Sequence, residues 1–142
     1  MRLKTFSPSD VAGKKVLVRV DFNVPLADGK VSDDTRIKAH LATLTALREA
    51  GAKIALVSHL GRPKGAVNMK YTLEPAGEEL AKLTGWKVRF VPDCIGEKVD
   101  EAVADWKDGE LLLLENVRFH PEEEKNDPEF AKKLTKNFDI FV

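Results

Sequence analysis

Apolar residues along the chain alternate between short runs and longer stretches where they recur at helical spacing. The run Val16-Leu17-Val18-Arg19-Val20 is rich in β-branched residues and predicts a strand. Over 34–50, Ile37, Leu41, Leu44 and Leu47 share one helical face, with Ser32 or Asp33 placed to cap the start and Gly51 to stop it. Further strands are expected at 54–57, 87–91 and 111–114, and another begins at Ile140-Phe141-Val142. Between them the pattern predicts helices over 72–83, stopped by Gly85, and over 97–106, where Val99, Ala102, Val103 and Trp106 fall at helix spacing. Asp127 followed by Pro128 reads as a cap with proline at the first helical position, opening a helix that runs to Lys136.

Strands of four or five residues, apolar toward both faces and separated by helices, are what a parallel sheet covered on both sides requires. The expected fold class is therefore α/β: a three-layer αβα domain with a doubly wound, Rossmann-like, mostly parallel sheet. No internal repeat, low-complexity stretch or linker interrupts it, so 142 residues are expected to form one domain. The sequence stops at Phe138-Asp139-Ile140-Phe141-Val142, inside a predicted strand with no polar tail. The sheet is thus expected to be truncated at its C-terminal end, and the uncovered edge to favour self-association.

Charge and composition narrow the choice of partners. Lys+Arg and Asp+Glu both number 23, so the formal net charge is zero. That balance gives no support for nucleic acid or an anionic membrane as partner. The single cysteine, Cys94, cannot close an internal disulfide, and no Cys/His spacing suggests a metal site. Residues 1–10 lack the apolar core of a secretion signal, and the apolar run Leu111–Leu114 is far short of the ~20 residues that span a bilayer. A cytoplasmic location is expected.

In open α/β sheets ligands bind beyond the carboxyl ends of the strands, so the residues following each strand matter most. Asp21, Asn23 and Pro25 follow the first strand, and Ser58-His59-Leu60-Gly61-Arg62-Pro63-Lys64-Gly65 follows the second. Glu115-Asn116-Val117-Arg118-Phe119-His120-Pro121 follows Leu111–Leu114, and Arg36 falls in the first turn of the helix after the first strand's loop. Arg36, His59, Arg62 and Arg118 would then share one rim, with Asp21 as a nearby acid. Arginine grips carboxylate and phosphate oxygens in a bidentate fork, so the cluster suggests a small, multiply charged anion. Asp21 and Asn23 suit a hydroxyl on that ligand, and the glycines at 61 and 65 would let backbone approach it. Neither G-x-G-x-x-G nor G-x-x-x-x-G-K-[ST] occurs.

Blander readings fit the other polar and aromatic residues. Arg19, inside a strand, suits a structural salt bridge. His40 and His120 suit structural or surface roles, and Cys94 suits packing. Glu122-Glu123-Glu124-Lys125 reads as a solvated loop, and Trp86 and Trp106 as anchors in or near the core. Any one rim arginine, taken alone, is more often a surface ion-pair partner than a ligand contact.

Three of these segments carry a resemblance. Lys15-Val16-Leu17-Val18-Arg19-Val20-Asp21-Phe22-Asn23-Val24-Pro25 resembles the signature of the phosphoglycerate kinase family. Ser58–Gly65 and Leu114-Glu115-Asn116-Val117-Arg118-Phe119-His120-Pro121-Glu122-Glu123 are similar to that family's second and third substrate loops. The resemblance runs from about Phe6 to Val142 and covers only about the first third of a family member.

It implies the N-terminal, 3-phosphoglycerate-binding domain of an enzyme that moves a phosphoryl group between 1,3-bisphosphoglycerate and ADP, giving 3-phosphoglycerate and ATP. By the same resemblance, Asp21 and Asn23 meet the substrate's hydroxyl side. His59, Arg62 and Arg118 hold its 3-phosphate, and Arg36, as the catalytic residue, lies nearest the transferring phosphoryl. Mg-ATP or Mg-ADP would be held by the C-terminal nucleotide domain of the full-length chain and not by these residues. The fragment alone is then expected to be inactive. Two other readings compete: a non-catalytic α/β anion-binding module, and a nucleotide-binding α/β domain, against which the absent glycine fingerprints count.

Overall fold

The computed structural model describes residues 11–61, 63, 66–125 and 127–142. Five strands form one parallel sheet: β1 (Lys15–Arg19), β4 (Lys53–Val57), β5 (Lys87–Val91), β6 (Glu110–Leu114) and β7 (Ile140–Phe141), in the order β5-β6-β4-β1-β7. Register in the centre pairs Lys15 with Lys53 and Arg19 with Val57, so β1 and β4 end level at the same rim.

Successive strand residues point to opposite faces, and both faces are buried. Val16, Val18, Ile54, Leu56, Leu111 and Leu113 pack on one side with Leu44 and Leu47 of helix α2 (Leu41–Glu49) and with Ala76 and Leu80 of α3 (Glu74–Thr84). Leu17, Ala55, Val57, Leu112 and Leu114 pack on the other with Val99 and Ala102 of α4 (Glu97–Ala104) and with Phe130 and Leu134 of α6 (Pro128–Thr135). Each such leucine contributes about 1.5–3 kcal/mol on burial. The doubly wound architecture expected from the strand pattern is the one found.

The layering fixes where the sheet opens. Helices following β1 and β4 cover one face, and those following β5 and β6 cover the other. β4 and β6 are neighbours, so the segments leaving them diverge to opposite sides. A crevice at such a switch point is the usual ligand position of this architecture.

Four local differences from the sequence reading have physical causes. The helix expected over 34–50 divides at His40 into α1 (Thr35–Ala39) and α2, because the His40 amide turns tightly onto the Ile37 carbonyl at 3.1 Å. At its start the Asp33 carboxylate accepts from the Thr35 amide and hydroxyl, while Ser32 Oγ donates to the Pro25 carbonyl. The third helix begins at Glu74 and not at Thr72, because Thr72 and Leu73 bond instead to Glu115. A small antiparallel hairpin, β2 (Leu26–Ala27) and β3 (Lys30–Val31), turns at Asp28-Gly29, both with positive φ. Asp-Gly is the sequence signal for this two-residue turn. Finally, a short helix, α5 (Pro121–Glu124), replaces the solvated loop expected there.

The remaining anchors sit where the pattern put them. Trp106 is buried and donates Nε1–H to the Glu110 carbonyl at 2.8 Å. Trp86 is partly buried, with the Arg48 guanidinium 5.1 Å above its ring. Asp127 caps α6 by accepting from the Glu129 amide at 2.8 Å. Among the described residues no helix is long and apolar enough to cross a membrane.

Candidate functional site

The loops leaving β1, β4 and β6 are held together by Ser58, Glu115 and Asn116, the three buried polar side chains among the described residues. Ser58 directly follows β4, and Glu115 and Asn116 are the first two residues after β6. Ser58 Oγ accepts from the Phe22 amide at 3.0 Å and donates to the His59 carbonyl at 2.9 Å, joining the first loop to the second. Asn116 donates Nδ2–H to the carbonyls of Leu60 (2.7 Å) and Tyr71 (3.0 Å), and its Oδ1 accepts from the Arg118 amide at 3.0 Å. Glu115 accepts from the Thr72 hydroxyl and from the amides of Leu73 and Asn116. Buried polar groups persist only when satisfied in this way. The sequence reading set these residues in the post-strand runs but gave them no role; the signal was a polar residue directly after each of two strongly apolar strands.

On this frame the described residues of the predicted set, Asp21, Asn23, Arg36, His59 and Arg118, lie in the segments that follow β1, β4 and β6. Arg36 Nη1 donates to the Asn23 carbonyl at 2.6 Å and lies 3.4 Å from Asp21 Oδ1, with both charged side chains about half exposed. Asp21 Oδ1 also accepts from the Asn23 amide, and Asn23 Oδ1 accepts from the Gly61 amide at 2.9 Å. His40 Nε2 accepts from the Asp21 amide at 3.0 Å, so this histidine supports the loop structurally. Across the switch point, Arg118 follows β6 in a 3₁₀ turn (Val117–Phe119), and His59 follows β4. Arg62, with Lys64 and Gly65, lies outside the described residues.

Burial is the main cause that holds the His59 pKa below the ordinary histidine value; the positive charges of Arg118 and Arg19 add to it. Asp21 and Glu123 act in the opposite direction. His59 therefore stands within electrostatic range of both arginines and both acids. Arg19 makes the structural salt bridge expected of it, with Nη2 3.1 Å from Glu123 Oε1. Glu123 was read as a solvated loop residue; instead its side chain is only 14% exposed and its second oxygen meets Arg118 Nε at 3.5 Å.

Gly61 has φ +62°, and the space a β-carbon would take there is filled by the Tyr71 ring. The close approach that requires glycine at this position is therefore to Tyr71, where the sequence reading had put a ligand.

Among the described residues, Asp93, Cys94 and His120 are metal-ligand types with ligand atoms within 4.8 Å of one another. Hydrogen bonding accounts for their grouping. Asp93 Oδ1 takes the Cys94 amide at 2.7 Å and lies 2.8 Å from His120 Nε2. Burial, and then the Asp93 charge, push the Cys94 thiol well up, so it stays protonated and packs as a small apolar group.

The fold and site together define a doubly wound α/β domain with charged and polar side chains gathered beyond the ends of β1, β4 and β6. The family model for phosphoglycerate kinase matches residues 6–142. The phosphoglycerate kinase of Borreliella burgdorferi (strain ZS7) is 55% identical over 143 residues, covering 100% of this chain and 36% of that protein. That of Fervidobacterium nodosum is 54% identical over 142 residues, with the same coverage. Among solved structures, the phosphoglycerate kinase of Pyrococcus horikoshii OT3 superposes with a TM-score of 0.82 at 35% identity, covering 97% of this chain and 36% of that one. The chain belongs to the phosphoglycerate kinase family, and it spans about a third of the length of the curated relatives it matches.

Proposed function

We propose that this chain forms the acid-substrate side of a phosphoglycerate kinase, the N-terminal part that holds 3-phosphoglycerate or 1,3-bisphosphoglycerate. The observation that supports this most is the meeting of Asp21, Asn23, Arg36, His59 and Arg118 beyond the ends of β1, β4 and β6. Arg118 and His59, with Arg62, would hold the 3-phosphate. Asp21 and Asn23 would face the hydroxyl. Arg36, beside them, would face the substrate carboxyl where the phosphoryl group transfers.

In the ATP-consuming direction a carboxylate oxygen of the substrate attacks the γ-phosphorus, and the bond from that phosphorus to the β–γ bridging oxygen breaks. An acyl phosphate and ADP result. The attacking oxygen is already anionic, so no general base is required. Such a reaction is catalysed mainly by positioning and by neutralising charge on the transferring oxygens. Arg36 suits the second task and the 3-phosphate contacts suit the first. The Mg-nucleotide would be held by the further two thirds of a family-length protein, closing over this crevice to exclude water. The setting would be the cytoplasm.

The chain alone should bind 3-phosphoglycerate weakly and turn over nothing. NMR titration with 3-phosphoglycerate should shift the amides of Asp21, His59 and Arg118. Shifts clustered at the opposite ends of the strands, or ATP-dependent turnover by the rigorously purified chain, would overturn the reading. The edge strand β7, with Phe141 half exposed, offers a surface for self-association that sedimentation at rising concentration would register.

A further inference from the structure

Glu123 is a carboxylate set among the cations of a proposed anion site. Through-space electrostatics alone would make it a hindrance there, since its charge opposes that of the ligand. Its geometry gives it another use. Oε1 lies 3.1 Å from Arg19 Nη2 and Oε2 lies 3.5 Å from Arg118 Nε. Those arginines come from different parts of the sheet: Arg19 ends β1 and Arg118 follows β6, with β4 between them. One carboxylate thus spans the strand whose following loop carries His59.

The short helix α5 aims it. Pro121 opens that helix, and the Glu123 amide donates to the His120 carbonyl at 3.2 Å. His120 is in turn anchored on Asp93, in the loop after β5. The carboxylate is therefore attached to the sheet through two loops and is mostly shielded from water, so its 3.5 Å ion pair with Arg118 Nε, which lacks hydrogen-bond geometry, acts on that guanidinium by charge more strongly than an exposed pair would.

We propose that Glu123 is a positioning residue of the anion site, bridging Arg19 and Arg118 so that the Arg118 guanidinium is held in place for the ligand's phosphate. This rests on the reading of Arg118 as a 3-phosphate contact. Glu123 itself touches no substrate; it acts through Arg118.

The two roles open to this carboxylate predict opposite signs. A charge that merely opposes the anion would, on removal, tighten binding. A positioning residue, on removal, weakens it. The test is 3-phosphoglycerate titration of the chain by NMR, for wild type, Glu123→Gln, Glu123→Ala, Arg118→Ala and Glu123→Ala/Arg118→Ala. Gln keeps the shape but presents a single acceptor, so it cannot serve both arginines and keeps the fold testable if Ala does not.

Glu123→Ala is expected to weaken binding about five- to tenfold, with Gln intermediate, and to change Kd by less than about twofold once Arg118 is absent. The Arg118 side-chain Nε–H resonance should shift or broaden in both Glu123 variants before any ligand is added. Tighter or unchanged binding in Glu123→Gln, or additive effects of Glu123→Ala and Arg118→Ala, overturns the proposal and leaves the site reading intact. Arg118→Ala binding as wild type does overturns both.

Discussion

Asn23 Oδ1 accepts the Gly61 amide at 2.9 Å, a bond between the loop leaving β1 and the loop leaving β4. The donor is placed by a backbone with φ +62°, held under the Tyr71 ring. Two separate causes thus require glycine at 61: the left-handed backbone and the aromatic ring where a side chain would begin.

Gly61→Ala should therefore destabilise the chain by about 1–3 kcal/mol, read from the midpoint of urea unfolding. Tyr71→Ala in the same chain should recover only part of that loss, because the positive φ remains. Complete recovery would show that the ring contact alone sets the cost.

Asn116→Ala removes the donor to the Leu60 and Tyr71 carbonyls and the acceptor of the Arg118 amide, all in one buried residue. Leaving a buried polar group unpaired costs about 1–3 kcal/mol, so a loss at or above the top of that range is expected. Amide exchange should also quicken first at Leu60 and Arg118, the two ends that Asn116 ties together. Uniform quickening across the sheet would mean only global destabilisation.

The sheet was legible because its signals are local. Ile54–Val57 and Leu111–Leu114 carry apolar residues to both faces, which a parallel, covered strand requires. The rim residues were legible for a related reason: once the strands are placed, the next residues must lie at their carboxyl ends. What stayed hidden depends on distant partners. Nothing local in Glu122-Glu123-Glu124 distinguishes a solvated run from one whose middle carboxylate meets Arg19, more than a hundred residues earlier. Thr72 looks like a helix start until Glu115 claims its hydroxyl at 2.6 Å. The hairpin at Asp28-Gly29 was a missed local signal, too short to register as alternating strands.

Two histidines give the chain an acid sensitivity with a defined sign. Burial holds the pKa values of His40 and His59 below the ordinary 6.5, and neutral His40 Nε2 accepts from the Asp21 amide. As pH falls from about 6.5 toward the folded-state values, the unfolded chain binds these protons first, so stability falls with pH in that window. Above it neither state is protonated and the dependence vanishes. Urea midpoints at pH 8 should exceed those near pH 5.5, and His40→Gln with His59→Gln should flatten the difference. NMR titration should find both imidazoles below 6.5, and bound 3-phosphoglycerate should raise His59.

The arginines of the site should divide by the kinetic constant they govern, measured in a family-length enzyme carrying this chain. On the proposed reading Arg118 holds the 3-phosphate, a group present in ground and transition states alike, so Arg118→Ala would remove uniform binding and should chiefly raise KM. A hydrogen bond to a charged group contributes about 1.5–3 kcal/mol, which corresponds to roughly 10- to 100-fold in KM. Arg36 lies on the side of the first loop, 2.6 Å from the Asn23 carbonyl and beside Asp21. There it would meet charge that develops on the transferring phosphoryl, so Arg36→Ala should chiefly lower kcat. An arginine in that role commonly changes the rate by about 10³–10⁵. The lower end is expected, because Mg²⁺ and the nucleotide side share the charge. Arg36→Lys keeps one positive charge but loses the planar fork, and should restore the rate only in part. If Arg36→Ala leaves kcat near wild type and changes KM alone, Arg36 is a ground-state anchor like Arg118.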